Sequence, residues 1–494
     1  MKQIIILLAL AFTSQNLLSQ NSIDALRYSR LDYSGTARFN AMGGSFGALG
    51  GEISAITINP AAVGVYRNSE FTFSTGFVDY GSETNFRGNL RSDNKFNFNI
   101  PNIGYVGSYK GDPNGWKNYS FSIQYNRTNN FNKSSRLSGN SQDGSVINDY
   151  VNILNNNAAT VSDVEAFAYP FGPSEAWETI LIDTIRQNGV LEYVPFFFFQ
   201  DNIQQRRRKE SSGSQSETTF SFGGNYQDRL YLGGSINFQR IVFEQSTIID
   251  ERYTYDPPAE ESEFLVTDYQ EITTLQTRGS GVNFKIGAIY RVTDAVRVGA
   301  SIHSPTFFGL NEEFIFESNS KFSDGRSFDS GETITNFGYR LRTPTRYSAS
   351  LAYLFQQKGA LNIDYEFINY SSARLNNRRN DQFDFSNGNN DISNTLNGAH
   401  NIRVGGEYNF LPFVVRAGYR YEGNPFSTNL TFNPDGTRTT YSIGGGLKSR
   451  NYNFDVAYFF STMDLVDPFH QTADAPVNIS EAFHSLIMTI GWRW

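Results

Sequence analysis

The chain has 494 residues, a formal net charge of −8 and no cysteine. The missing thiols exclude disulfide frameworks, cysteine zinc sites, thiol catalysis and a lipoprotein cysteine anchor. The acidic balance, without a clustered basic face, offers no field that would attract nucleic acid.

A mean hydropathy of −0.43 argues against a bundle of membrane helices. Yet aromatics reach 15%, with 43 Phe and 28 Tyr. Strands in lipid reconcile the two: only alternate residues face hydrocarbon, and aromatic rings gather at the interfaces.

Residues 1–20 read as a cleaved signal peptide, in which Lys2 is the basic region, Ile4 to Phe12 the apolar core and Ser19 a small residue at the cut. The core falls short of the roughly 20 residues a spanning helix needs. Residues 21–68 do not alternate and are rich in Gly and Ala, so a hatch plugging a lumen is expected there, with a periplasmic tail as the alternative.

From residue 69 to 494 a period of two recurs. Leu230, Leu232, Ile236 and Phe238 alternate with Tyr231, Gly233, Ser235, Asn237 and Gln239, and Val296, Val298, Ala300 and Ile302 with Arg297, Gly299, Ser301 and His303. Strands are expected near 69–80, 97–110, 117–131, 217–227, 229–249, 266–292 and 295–315, then near 333–355, 360–372, 398–409, 412–423, 438–448, 451–463 and 481–494. Linkers such as Gln227-Asp228 and Thr293-Asp294 are short, whereas 132–216, 373–397 and 464–480 are long. Short periplasmic turns and long external loops are the asymmetry of an outer-membrane barrel. The expected fold class is all-β, a transmembrane antiparallel β-barrel of about 14 strands plugged by an N-terminal hatch, in the outer membrane of a Gram-negative bacterium.

Within the external loop 132–216, Ile147 to Ala159 and Glu175 to Gln187 are expected to be helical. Phe196 to Phe199 should seek lipid, the barrel mouth or an apolar ligand. Arg206-Arg207-Arg208-Lys209 fits lipopolysaccharide phosphates or, more simply, a solvated loop. The last strand, Leu486 to Trp494, ends on an aromatic residue and is similar to the signal read by the barrel-insertion machinery.

Gly35 to Ala48, leading into Ile56-Thr57-Ile58-Asn59-Pro60-Ala61-Ala62, resembles the hatch of the FadL/TodX outer-membrane transport family, in particular its Bacteroidota-like members. Three later stretches are also similar: Val296 to Pro305, Thr343 to Ser350 and Val415 to Tyr421. The resemblance implies a fourteen-stranded plugged barrel that takes up hydrophobic small molecules passively, long-chain fatty acids or aromatic hydrocarbons, with lateral exit through the wall. It also implies a monomer. Separately, the sequence carries no Gly-x-Ser-x-Gly elbow between a strand and a helix and no zinc motif, so neither enzyme activity nor a cofactor is expected.

On that reading Asn59, Pro60 and Ala61 form a hatch motif, against the plainer reading of an Asn-Pro turn. Phe39, Met42 and Phe46 are candidates for the pocket wall or for hatch packing. Arg297, Arg416 and Arg420 lie on polar strand faces, where each could meet a ligand carboxylate or join an internal charge network. The Gly43 to Gly51 run lacks the Lys-Ser/Thr pair of a phosphate loop. The histidines, His303, His400, His470 and His484, show no metal spacing. Two rival readings stand beside uptake: a carrier or anchor for secreted proteins, and a diffusion pore for polar solutes.

Overall fold

The computed structural model describes residues 22–141, 144–196, 203–255, 264–356, 358–378, 383–428, 435–469 and 476–494. The expected signal peptide and Phe197 to Phe199 lie outside these residues. No described helix is long and apolar enough to cross a membrane. The chain crosses with strands, and because hydrocarbon offers backbone groups no partner, those strands must close on themselves.

β1 (Glu70–Phe86) and β2 (Asn89–Lys110) open the barrel, followed by β3 (Trp116–Asn130) and its outward continuation β4 (Lys133–Ser141). A small external hairpin of β5 (Ile182–Gln187) and β6 (Val190–Pro195) precedes β7 (Ile203–Tyr226), β8 (Leu230–Tyr253) and β9 (Val266–Arg291). The next wall strand is broken into β10 (Val296–His303) and β11 (Phe307–Phe322), with a short β12 (Ser327–Asp329) at the tip. Its neighbour is broken into β13 (Thr333–Arg342) and β14 (Arg346–Leu354). β15 (Gly359–Asn369) continues outward as β16 (Arg374–Asn377). β17 (Gly398–Phe410), β18 (Phe413–Glu422), β19 (Arg438–Lys448), β20 (Tyr452–Pro468) and β21 (Pro476–Arg493) complete fourteen antiparallel staves. β21 pairs with β1 from Glu70↔Arg493 to Asn85↔Asn478, so the barrel is closed.

Burial is inverted relative to a water-soluble sheet. On β8 Tyr231, Asn237 and Gln239 are buried while Leu232 and Phe238 are 40% and 50% exposed. On β21 Thr489 is buried while Ile490 and Trp492 face out. Polar faces therefore line the lumen and apolar faces meet lipid, which is why alternation was readable in a sequence of low hydropathy.

The turns at one end are short, spanning 111–115, 227–229, 292–295, 355–358, 411–412 and 449–451. The long connections 142–202, 254–265, 378–397 and 423–437 sit at the other end, which identifies it as the external side.

Three expectations are corrected. First, β1 and β2 run on past residues 80 and 97 to a two-residue turn at Arg87-Gly88, where both residues have positive φ. The extension is polar because it stands in water above the lipid, so hydrophobic alternation could not mark it. Second, β7 begins at Ile203, so Arg206 to Lys209 belong to a strand rather than a loop. Arg207 and Lys209 both pair with Asp467, at 2.7 and 3.1 Å. Third, Glu175 to Gln187 is not one helix, because the helix Pro173–Glu178 gives way to β5. Asn188 and Gly189, both at positive φ, form a tight hairpin turn between β5 and β6. The other expected external helix is present as Val146–Asn156.

Residues 144–196 pack around Ile147, Leu154 and Leu181 onto the outward ends of β7, β8, β9 and β11, forming a cap. Its buried Glu271 accepts hydrogen bonds from the Tyr150 and Tyr269 hydroxyls.

Candidate functional site

The N-terminal segment lies inside the barrel as α1 (Ser22–Ser29), α2 (Ala37–Ala41) and two 3-10 helices, Ile53–Thr57 and Pro60–Val65. Such short turns are made stable by capping and wall contacts rather than by propensity. Thr36 caps α2 by accepting from Phe39 N, and Glu52 caps the first 3-10 helix by accepting from Ser54 N.

Asn59 caps the second 3-10 helix, with Pro60 at its first position. Asn59 Oδ1 accepts from Ala61 N at 3.0 Å, while Nδ2 donates to Gly47 O at 2.8 Å and to Ala288 O of β9 at 3.1 Å. One side chain thus starts a helix, ties two turns of the hatch together and pins both to the wall. The wall accommodates it because β9 carries Gly287 there: a Cβ at that position would collide with Asn59 Oδ1. Pro60 and Ala61 sit against the wall at Gly233, where a Cβ would strike the Pro60 carbonyl.

Phe39, Met42 and Phe46 are fully buried in the hatch's own core, with Phe39 and Phe46 stacked at 5.8 Å. None of the three lines the large cavity of the lumen.

That cavity, of about 700 Å³, lies on the external side of the hatch between α1 and the wall of β1, β3, β8 and β18 to β21. Its apolar lining includes Leu26, Phe131, Phe243, Met463, Leu465 and Phe483. Among these stand the cations Arg30, Arg127, Lys133, Arg420 and Arg438.

Arg27 and Lys209 also line the cavity and are paired with Asp24 and Asp467, whereas the arginines beside Asp32 and Glu422 are held more loosely. Arg420 approaches Asp32 at 3.7 Å, Arg438 approaches Asp32 at 3.9 Å and Glu422 at 3.6 Å, and Arg30 approaches Glu422 at 3.5 Å. Lys133 has a close partner, Glu481 at 2.6 Å. Arg420 is 3% exposed, yet its Nε and Nη1 lack any hydrogen-bond partner, as do Nε of Arg438 and Nη2 of Arg30. Those nitrogens are themselves shielded from the open space, but seven cations against four carboxylates line the cavity, a balance that favours an anion within it.

Of the three arginines singled out in the sequence, only Arg420 lines the cavity. Arg416 is held by Glu407 at 3.1 Å and Asp455 at 2.6 Å, and Arg297 donates to Leu49 O of the hatch at 2.7 Å. Arg438 and Lys133 escaped the reading. Arg438 opposes Glu422 across β18 and β19, so it shares the lumen face and could have been found from parity. Lys133 sits in a stretch taken for loop.

Beside the cavity the backbone ladder is interrupted, and side chains bridge it: Asp93 accepts from Ser134, and Lys95 donates to Glu210. β2 pairs with β3 only from Asn102↔Asn126 to Lys110↔Asn118. Outward of Asn102, residues 89–99 of β2 pair with β1 alone among the described residues, and the β1 register shifts between Ser74 and Gly76 opposite Ile100-Pro101. Pro101 has no N–H to offer a ladder. Arg127, Asn129 and Asn130 line the cavity at this interruption, and Phe96 and Phe98 beside it are 66% and 52% exposed.

The family model described as outer membrane protein transport protein (OMPP1/FadL/TodX) matches residues 209–478, more than half of the chain. A search of curated proteins returns no match. Among solved structures, the toluene transporter TodX of Pseudomonas putida aligns with a TM-score of 0.53 at 12% identity, covering 94% of this chain and 99% of that one. A FadL homologue of Pseudomonas aeruginosa aligns with a TM-score of 0.52 at 13% identity, again over 94% and 99%. At such identities the likeness is one of fold.

Proposed function

Because the chain belongs to the OMPP1/FadL/TodX family of outer-membrane transport proteins, we propose that it admits amphiphilic hydrophobic molecules passively, long-chain fatty acids in particular. The observation that carries this reading is the mixed lining of the cavity, in which Phe131, Phe243 and Met463 share one space with Arg420 and Arg438. An acyl chain would gain roughly 25 cal/mol per Å² of apolar surface buried, and its carboxylate would pair with the lining guanidinium groups. A neutral aromatic hydrocarbon, the cargo named for the TodX structure, would leave the excess of cations unbalanced.

The route we propose runs from the external mouth into the cavity and then sideways between β2 and β3, where the ladder is interrupted. The hatch blocks water beneath, and Asn59 fixes it to the wall. No ATP or covalent step is required, because the ligand moves between two apolar environments.

Mass spectrometry of small molecules extracted from the purified protein tests this, with an unrelated barrel as control. A near-stoichiometric fatty acid, absent from the control and depleted in Arg420→Leu, is the expected result. A bound neutral hydrocarbon would overturn the substrate class. An empty barrel holding a stoichiometric protein partner would replace uptake with the secretion-carrier reading.

A further inference from the structure

The outward face of β8, β9, β11, β13 and β16 changes character abruptly at its external end. The strand registers define successive rows of outward side chains. The innermost is Phe238, Val282, Phe307, Arg342 and Arg374. The next is Arg240, Ser280, Gly309, Arg340 and Asn376, and the third is Val242, Arg278, Asn311 and Gly338, with Arg378 following at its edge.

These three rows hold six arginines and no carboxylate. Outward carboxylates return only in the fourth row, as Glu244 and Glu313 flanking Gln276. Arg240, Arg278, Arg340 and Arg342 are exposed and make no ion pair among the described residues. Arg378 reaches across the glycines to donate to Asn311 Oδ1 at 2.7 Å, so the patch is continuous over β11. Toward the periplasm the same face is apolar, with Phe238, Phe284, Ile302 and Phe307 all exposed.

We propose that this arginine patch is a binding site for the phosphorylated saccharolipid of the outer leaflet, lipopolysaccharide. Like charges side by side on a sheet repel unless a counter-anion is supplied. The supply must come from the lipid side, since the side chains point away from the lumen. The patch begins where the exposed Phe238 and Phe307 end, at the depth where a lipid's acyl chains give way to its headgroup. Every cation in it is Arg rather than Lys, and the planar guanidinium fork matches phosphate oxygens in pairs. A chain of net charge −8 that gathers six arginines on one outward face presents a local field opposite to its whole. The site is separate from the lumen cavity, so it does not depend on the proposed cargo.

The test is binding of purified lipopolysaccharide to the folded barrel in a zwitterionic detergent, read by native mass spectrometry. It compares the natural chain with the triple variant Arg240→Gln, Arg278→Gln, Arg340→Gln and with the opposite-charge control Glu244→Gln, Glu313→Gln. Heat-dependent gel migration confirms that each barrel is folded. The expected result is a loss of about tenfold or more in affinity for the triple variant, unchanged or tighter binding by the control, and weak binding of dephosphorylated lipopolysaccharide by the natural chain. Equal affinity in the natural chain and the triple variant would overturn the site. Equal binding of phosphatidylglycerol would overturn its assignment to the saccharolipid and leave a non-specific anion surface.

Discussion

Arg420 lines the cavity from β18, its Nη2 3.7 Å from the carboxylate of Asp32. A ligand carboxylate that hydrogen-bonds this guanidinium should contribute about 1.5–3 kcal/mol. Arg420→Leu is therefore expected to weaken binding of a long-chain fatty acid by about tenfold or more, while leaving binding of the corresponding neutral alcohol within about twofold. Equilibrium binding of the two labelled ligands separates a lost ion contact from a collapsed pocket.

At the same scale, Glu271 lies in the cap beyond the lipid-facing part of β9. Burial pushes its carboxyl from the ordinary 4.5 up to about 7, against the opposing hydrogen bonds from Tyr150 and Tyr269. A carboxyl with a raised folded pKa favours the folded state while protonated. The stability it gives is complete below about pH 4.5 and is lost as pH rises through about 7. Limited proteolysis of the cap should accelerate between pH 5 and pH 8, and Glu271→Gln should flatten that dependence. An unchanged pH profile in the variant would remove Glu271 as its source.

At the scale of elements, the hatch is a set of short turns held by specific contacts. Asn59→Ala removes a helix cap worth about 1 kcal/mol and also the two donors to Gly47 O and Ala288 O. The expected outcome is a barrel that still folds but carries a loosened plug, seen in planar bilayers as larger and noisier conductance than the natural chain shows. Gly287→Ala should have the same effect from the opposite side, because its Cβ meets the Asn59 side chain.

How much of this could be read beforehand differs by element. The fourteen staves were legible because lipid imposes a strict period of two on them, and all fourteen expected strands are found. Their outward extensions were not, since above the lipid both faces are polar and the period disappears, as in residues 81–96 and 203–216. The β5–β6 hairpin was missed because the apolar run Ile180-Leu181-Ile182 reads equally as helix or strand, although Asn-Gly at 188–189 is a hairpin-turn pair. Asn59 could be read as a turn starter; its grip on Ala288 depends on a wall residue far along the chain. The hatch aromatics Phe39 and Phe46 show the general difficulty: composition marks them as buried, but only packing decides that they face each other and not a ligand.

At the scale of the whole molecule, β1 pairs with β21 to close the barrel, and among the described residues the ladder is interrupted between β2 and β3. The route proposed above takes the ligand from the external mouth through the cavity to that interruption. The measurement that tests this account most directly is uptake of a labelled long-chain fatty acid by Gram-negative cells that lack their own outer-membrane channel for it and express this chain instead. The account predicts uptake well above the empty-vector level, reduced in Arg420→Leu and abolished by a disulfide engineered across the gap, such as Asn99→Cys with Arg127→Cys, and restored on reduction. Uptake no greater than in cells carrying the empty vector, with the folded barrel present in the outer membrane, would contradict it.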